Sequence, residues 1–130
     1  MFKDVFLGID HTAIAADDVV ALTQWYCDAL GYEVLVKTDK PVFIIKAPDG
    51  TYLEIMPKDD KSRPERTVAT PGYSHLALRV SDMDAAMAAL DKYSVPWAAP
   101  EFQAAGGGRI RNFEDPEGNM LQIIQRTNIN

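Results

Sequence analysis

The sequence predicts an α+β fold made of two βαβββ modules related by a pseudo-twofold axis. The first observation is an internal repeat, in which the residues from His11 resemble those from His75. A second matching pair begins at Pro48 and Pro116. The second observation is that strand and helix patterns recur in the same order in both halves. Two copies are too few for a solenoid, so a packed pair of modules is the better interpretation.

The first module covers about residues 5–57. An apolar, β-branched run predicts a strand over residues 6–15. A helix follows, because Asp17 or Asp18 can cap it, apolar residues recur at helical spacing, and Gly31 can end it. Three further strands are predicted at residues 32–37, 42–47 and 52–56, with a Pro-Asp-Gly turn before the last.

The second module covers about residues 72–126 and follows a polar linker at residues 58–70. A strand is predicted over residues 73–80. Residues 81–84 (Ser-Asp-Met-Asp) resemble a capping box with Asp in place of Glu, which predicts a helix start. The three glycines at 106–108 predict an ordinary loop, with a flap over a site as the alternative. Two later strands, near 109–114 and 120–125, flank a Pro-Glu-Gly turn.

Length and composition limit the class of protein. We expect the 130 residues to form a single domain over residues 1–130. The net charge of −6 opposes binding to nucleic acid, because phosphates attract basic surfaces. No apolar run is long enough for a membrane span, and residues 1–6 do not resemble a signal peptide. The single Cys27 excludes an intrachain disulfide and fits the cytoplasm, with a small molecule as the expected partner.

Four polar residues at repeat-related strand positions are candidate metal ligands. Side chains alternate along a strand, so His75, Glu54 and Gln122 face away from the aliphatic residues beside them. His11 occupies the position equivalent to His75, and these are the only two histidines. Each residue alone has a plainer interpretation as a packed or solvated side chain, but together they favour one divalent ion. The single carboxylate would leave that ion net positive charge for polarising a substrate oxygen.

Four other residues are weaker candidates for substrate binding. Arg79, Arg109 and Arg111 could hold a carboxylate or phosphate in bidentate fashion, although solvated surface is the plainer interpretation. Trp97 could line a pocket, although core packing is more common for tryptophan.

Several motifs carry a resemblance to a known family over nearly the whole chain. They are Ile9-Asp10-His11, Trp25-Tyr26-Cys27-Asp28-Ala29-Leu30-Gly31-Tyr32, Leu53-Glu54-Ile55, His75-Leu76-Ala77-Leu78 and Phe113-Glu114-Asp115-Pro116-Glu117-Gly118-Asn119. With these motifs the chain resembles the vicinal oxygen chelate superfamily. That superfamily includes glyoxalase I, methylmalonyl-CoA epimerase, extradiol dioxygenases, fosfomycin-resistance enzymes and bleomycin-resistance proteins.

The resemblance implies a cupped mixed sheet around one divalent metal ion (nickel, zinc, cobalt, iron or manganese). The ligands would come from the first and last strand of each module, here His11, Glu54, His75 and Gln122. Glyoxalase I enzymes commonly hold a carboxylate where Gln122 stands, which leaves the use of glutathione or another thiol open. The resemblance also implies a homodimer, with the site within one chain or across two.

The leading functional hypothesis is a metal-dependent lyase or isomerase of the glyoxalase I type. It would act on a small carbonyl or hydroxy-carbonyl substrate through a metal-bound enediolate, with Glu54 as the candidate base. The alternatives are a non-catalytic antibiotic-binding protein of the bleomycin-resistance type, an epimerase of the methylmalonyl-CoA type, and a metal-dependent dioxygenase. Gln122 on the last strand argues against an extradiol dioxygenase, and fold alone cannot decide among the others.

Overall fold

The computed structural model of the protein describes residues 5–127. The chain divides into two compact units, Met1–Lys61 (unit 1) and Ser62–Asn130 (unit 2), with the division inside the expected linker. Residues 1–4, which belong to the N-terminal stretch considered above, lie outside the described part. Within the described residues, neither helix has the length and hydrophobicity needed to cross a bilayer.

Unit 1 contains a four-stranded mixed sheet and one helix. Its strands and helix are β1 (His11–Ala16), α1 (Val19–Leu30), β2 (Glu33–Lys37), β3 (Phe43–Lys46) and β4 (Tyr52–Pro57). The strand order is β1-β4-β3-β2. The first and last strands, β1 and β4, pair in parallel, whereas β3 pairs antiparallel with both β4 and β2.

Unit 2 repeats this arrangement. Its elements are β5 (Leu76–Arg79), α2 (Met83–Asp91), β6 (Phe102–Gln103), β7 (Arg109–Glu114) and β8 (Met120–Gln125). The strand order is β5-β8-β7-β6, with β5 parallel to β8 and the other pairs antiparallel. The α+β class and the repeated βαβββ order are therefore confirmed.

The two helices begin at equivalent aspartates. The Asp18 carboxylate accepts a hydrogen bond from the Ala21 amide, and the Asp82 carboxylate accepts one from the Ala85 amide. The expected capping box with Ser81 as its first residue is therefore wrong by one position. Ser and Asp are both good caps, so local sequence alone did not choose between neighbours. Gly31 ends α1 in the left-handed conformation, as expected.

The alternation of the last strand in unit 1 orients its polar face. Leu53 and Ile55 are buried, and α1 packs against β4 with its buried residues Leu22 and Tyr26. Glu54 lies on the other face of the same strand and is only partly buried. Burial of the two aliphatic side chains under the helix therefore determines which way Glu54 points.

Two strand starts differ from expectation. The first strand begins at His11 instead of residue 6, and the strand expected from residue 73 begins at Leu76. For β1 the partner sets the limit, because His11 pairs with Tyr52, where β4 begins directly after a turn. β5 begins at Leu76, which pairs with Leu121, the second residue of β8. An apolar run without a partner cannot satisfy its backbone hydrogen bonds in a ladder.

The segment that leads into β5 is held by side chains. The guanidinium of Arg66 donates hydrogen bonds to the carbonyl oxygens of Thr70, Pro71 and Tyr73. Hydrogen bonds from Arg66 thus tie the end of the predicted linker to the residues that precede β5.

Gly108 lies so close to the backbone of β8 that a residue with a Cβ atom would not fit in its place. It has a φ of 116°, and a Cβ at this position would overlap the carbonyl oxygen of Gln125 on β8. The preceding glycines form a turn closed by backbone hydrogen bonds between Ala104 and residues 107 and 108. The guanidinium of Arg126 binds the Ala105 carbonyl oxygen in the same turn. These contacts support the interpretation of an ordinary loop.

We expect Gly108→Ala to destabilise the protein strongly. The methyl group would force β7 away from β8 in addition to straining the backbone, at a combined cost of about 3 kcal/mol. Gly118→Ala is the matched control, because Gly118 also has positive φ but a Cβ there meets no atom within 4 Å. It should cost only about 1 kcal/mol. Urea unfolding of both variants measures the difference, and equal losses would contradict the proposed close approach.

Candidate functional site

In unit 1, parallel pairing brings His11 and Glu54 together. Ala13 is the partner of Glu54 in the β1–β4 register, and His11 lies two residues earlier on the same face of β1. The Nε2 atom of His11 is 3.8 Å from the Oε2 atom of Glu54. An imidazole nitrogen and a carboxylate oxygen are thus adjacent on neighbouring strands.

In unit 2, the same register applies to His75 and Gln122. Ala77 is the partner of Gln122 in the β5–β8 register, as Ala13 is of Glu54. His75 again lies two residues before the paired alanine, directly ahead of β5. Each unit therefore places one histidine and one oxygen-bearing side chain at equivalent positions of its parallel strand pair.

Each histidine has its Nδ1 atom held by the residue that precedes it. The Nδ1 atom of His11 is 2.8 Å from a carboxylate oxygen of Asp10, and the Nδ1 atom of His75 is 2.8 Å from the hydroxyl oxygen of Ser74. The Ser74 hydroxyl donates its own hydrogen to the carbonyl oxygen of Val68 at 2.7 Å. It can therefore only accept from His75, which places the proton of the neutral ring on Nδ1.

This arrangement leaves the Nε2 lone pair of each histidine available. A carboxylate only accepts hydrogen bonds, so Asp10 holds the proton of the neutral His11 ring on Nδ1 as well. Histidines that bind metals commonly donate their second ring N–H to a carboxylate, carbonyl or water. Asp10 and Ser74 supply equivalent support from repeat-equivalent positions.

Gln122 is nearly fully buried, with 6% of its surface exposed. Its Nε2 atom donates a hydrogen bond of 2.8 Å to the Oδ1 atom of Asn112 on β7. The remaining polar atom of the side chain is the carbonyl oxygen, which can act as a neutral metal ligand.

The chemistry of these donors fits a divalent metal ion. They comprise two imidazole nitrogens with free lone pairs, one carboxylate and one amide oxygen, which suit zinc, nickel, iron, cobalt or manganese. Among residues 5–127, no group of three or more His, Cys, Asp or Glu side chains is gathered as a metal cluster. Each unit by itself supplies two of these donors, one histidine and one oxygen-bearing side chain.

The residues suggested for substrate binding make other contacts. Arg109 donates two hydrogen bonds of 2.7 Å to Glu101 and one of 2.8 Å to Asp84. Hydrogen bonding to Arg109 lowers the pKa of both carboxyl groups below their ordinary values. This network joins β7 to the start of α2, so it accounts for the position of Arg109 without a substrate.

Arg111 and Trp97 are also engaged. The Arg111 guanidinium lies 4.1 Å from the centroid of the Trp97 ring and donates to the Ala99 carbonyl oxygen at 3.0 Å. The indole N–H of Trp97 donates to Asp91 at 2.8 Å. Arg79 is exposed on β5. Substrate contacts for these residues stay predictions, and those from Arg109, Arg111 or Trp97 would compete with bonds already made.

Sequence patterns did not single out three residues of the site, Asp10, Ser74 and Asn112. Asp10 and Ser74 share one signal, which is a hydrogen-bonding side chain directly before each repeat-related histidine. Asn112 gave a weaker signal, as a polar residue in the strand that precedes Gln122.

We expect Asp10→Asn to lower the pKa of His11. The hydrogen bond that His11 donates to the Asp10 carboxylate is the largest cause that raises this pKa above the ordinary value of 6.5, and the charge of Glu54 raises it further. Asparagine keeps the shape but removes the charge, so His11 should lose its proton at lower pH in the variant. An NMR titration of the metal-free protein measures this, with the His75 signals as internal control. An unchanged titration midpoint for His11 would contradict the assigned role of Asp10.

Comparisons with known sequences agree on one family. A model of the Glyoxalase/Bleomycin resistance protein/Dioxygenase superfamily matches residues 8–123. The uncharacterized protein YaeR of Escherichia coli (strain K12) is 31% identical over 127 residues, covering 91% of this chain and 95% of that protein. Biphenyl-2,3-diol 1,2-dioxygenase 3 of Rhodococcus globerulus is 26% identical over 117 residues, covering 87% of this chain and 60% of the dioxygenase.

Solved structures share the fold. The glyoxalase family protein from Enterococcus faecalis superposes with a TM-score of 0.77 at 26% identity, covering 92% of this chain and 98% of that one. Lactoylglutathione lyase from Agrobacterium tumefaciens superposes with a TM-score of 0.67 at 20% identity, covering 91% of this chain and 92% of that one. A third structure is a point mutant of the fosfomycin resistance protein FosX from Listeria monocytogenes in complex with Mn(II). It superposes with a TM-score of 0.74 at 17% identity, covering 95% of this chain and 93% of that one. The chain therefore belongs to the Glyoxalase/Bleomycin resistance protein/Dioxygenase superfamily.

Proposed function

We propose that the protein is a metal-dependent lyase or isomerase of the glyoxalase type. Its substrate would be a small carbonyl or hydroxy-carbonyl compound that loses a proton from the carbon next to the carbonyl group. The observation that carries the proposal is that both histidines have Nδ1 in a hydrogen bond, which leaves Nε2 available to bind a metal. Two such rings at repeat-related positions favour a metal-dependent enzyme over a binding protein that lacks a metal site.

The metal ligands would be His11, Glu54, His75 and Gln122. A divalent ion bound by them would stabilise the negative charge that develops on substrate oxygens as the proton leaves. The Mn(II) complex of the fosfomycin resistance protein FosX supports a divalent ion at the site, because that protein shares the fold. The homodimer, the cytoplasm and the small-molecule partner remain expectations from the sequence.

Glu54 is the side chain that would accept the substrate proton. It is the only carboxylate among the four proposed ligands, and the amide of Gln122 has no basic site of comparable strength. Its side chain is 24% exposed, so a substrate can reach it while part of the carboxylate is shielded from water.

A dioxygenase is the second candidate. Two histidines and one carboxylate form the ligand set typical of non-haem iron oxygenases, and one sequence relative is a dioxygenase. The neutral Gln122 opposes this candidate. In the pattern that extradiol dioxygenases resemble, the carboxylate ligand stands on the last strand, where this chain has Gln122. Iron in the purified protein would favour the oxygenase, and nickel, zinc, cobalt or manganese would favour the isomerase.

The test of the proposed function is substrate proton exchange. The metal-loaded protein would be incubated in D₂O with two probes, an α-hydroxyketone and the hemithioacetal of methylglyoxal and glutathione. We expect the wild type to catalyse exchange of the carbon-bound hydrogen next to the carbonyl group. Glu54→Gln keeps an oxygen ligand but cannot take the proton, so exchange at matched metal occupancy should fall by about 100-fold or more.

Glu33→Gln is the matched control, since Glu33 is an exposed carboxylate on β2 of the same unit. Its exchange rate should equal that of the wild type. Loaded wild-type protein that exchanges neither probe would contradict the lyase or isomerase proposal. Unchanged exchange in Glu54→Gln would leave the reaction class intact but exclude Glu54 as the base.

A further inference from the structure

The two repeat-related oxygen ligands have different neighbours on the adjacent strand. In unit 1, Glu54 of β4 is paired with Ile44 of β3. In unit 2, Gln122 of β8 is paired with Asn112 of β7 at the equivalent position. A carboxamide thus stands beside the amide ligand, whereas an aliphatic side chain stands beside the carboxylate.

The chemistry of the two ligands explains why their neighbours differ. The two oxygens of a carboxylate are equivalent, so Glu54 presents an oxygen whichever way its terminal torsion turns. An amide has one oxygen and one nitrogen, and a half-turn would present N–H groups in place of the acceptor. Two N–H groups directed at a cation would oppose binding. Gln122 therefore needs a contact that distinguishes its two ends, and Glu54 does not.

Asn112 makes that contact. Its Oδ1 atom accepts a hydrogen bond from Gln122 Nε2 at 2.8 Å, which fixes the nitrogen towards β7 and directs the carbonyl oxygen away from it. Asn112 is itself anchored, because its backbone pairs with β8 on one side and its carbonyl accepts from the Ala98 amide on the other. The backbone that carries the acceptor is thus held in the sheet, and the Gln122 side chain that donates to it is buried.

We infer that Asn112 is a positioning residue that selects the oxygen end of Gln122 for the metal. The inference rests on the proposed function, in which Gln122 is a ligand. It assigns to Asn112 no contact with the metal or the substrate. Loss of the residue should therefore weaken metal binding only through Gln122.

The test is a double-mutant cycle that measures Ni(II) affinity by competition with a chromophoric chelator. Asn112→Leu has similar volume but no acceptor, and it should weaken Ni(II) binding by about 10-fold or more. The same substitution in a Gln122→Ala background should have little effect, because the amide to be oriented is gone. A merely structural role of Asn112 would weaken binding equally in both backgrounds, and that result would overturn the inference.

Asn112→Asp provides a second test if the leucine variant does not fold. A carboxylate can accept from Gln122 Nε2 but cannot donate to its oxygen, so affinity for Ni(II) should be kept or increased. Weaker binding in this variant would overturn the inference. Wild-type protein that binds no Ni(II) would instead contradict the proposed function itself, so the two failures are distinguished before any variant is measured.

Discussion

The candidate site depends on the parallel pairing of the first and last strand in each unit. In that register the residue two positions after each histidine is the partner of the oxygen ligand on the last strand. A slip of one residue would turn Glu54 to the opposite face and bring Leu53 out of the core. Burial of the aliphatic residues on the last strands under the helices therefore also fixes the positions of the ligands. The same register therefore sets both the packing and the placement of the candidate site.

The two units share this register but differ in the charge of the side chains around the histidine. Unit 1 contributes His11 with Asp10 on one ring nitrogen and Glu54 near the other. Unit 2 contributes no carboxylate, with His75 held by Ser74 and Gln122 held through its amide. Under the proposed function, a single carboxylate would leave a bound divalent ion with net positive charge, which suits stabilisation of a developing oxyanion. It would also leave one carboxylate for proton transfer.

Much of the fold and the equivalent strand positions of the four candidate ligands could be predicted from the sequence because the chain repeats itself. The β7 and β8 ranges and the helix stop at Gly31 agreed with local signals. The starts of β1 and β5 did not, and for β1 the reason is that its partner strand begins only at Tyr52. The partners of Arg109 likewise come from distant positions, so periodicity could not show that this side chain is engaged. The contact of Asn112 with Gln122 is defined only by cross-strand pairing.

The proposed chemistry requires that His11, Glu54, His75 and Gln122 bind one divalent ion. The most direct test is the metal content of protein purified without added metal, measured by elemental mass spectrometry. We expect about one ion per wild-type chain and loss of that ion in His75→Ala. Tyr73→Ala should retain it, because the Tyr73 side chain is fully exposed two residues away. Wild-type protein without metal, even after reconstitution, or equal metal in His75→Ala, would contradict the account.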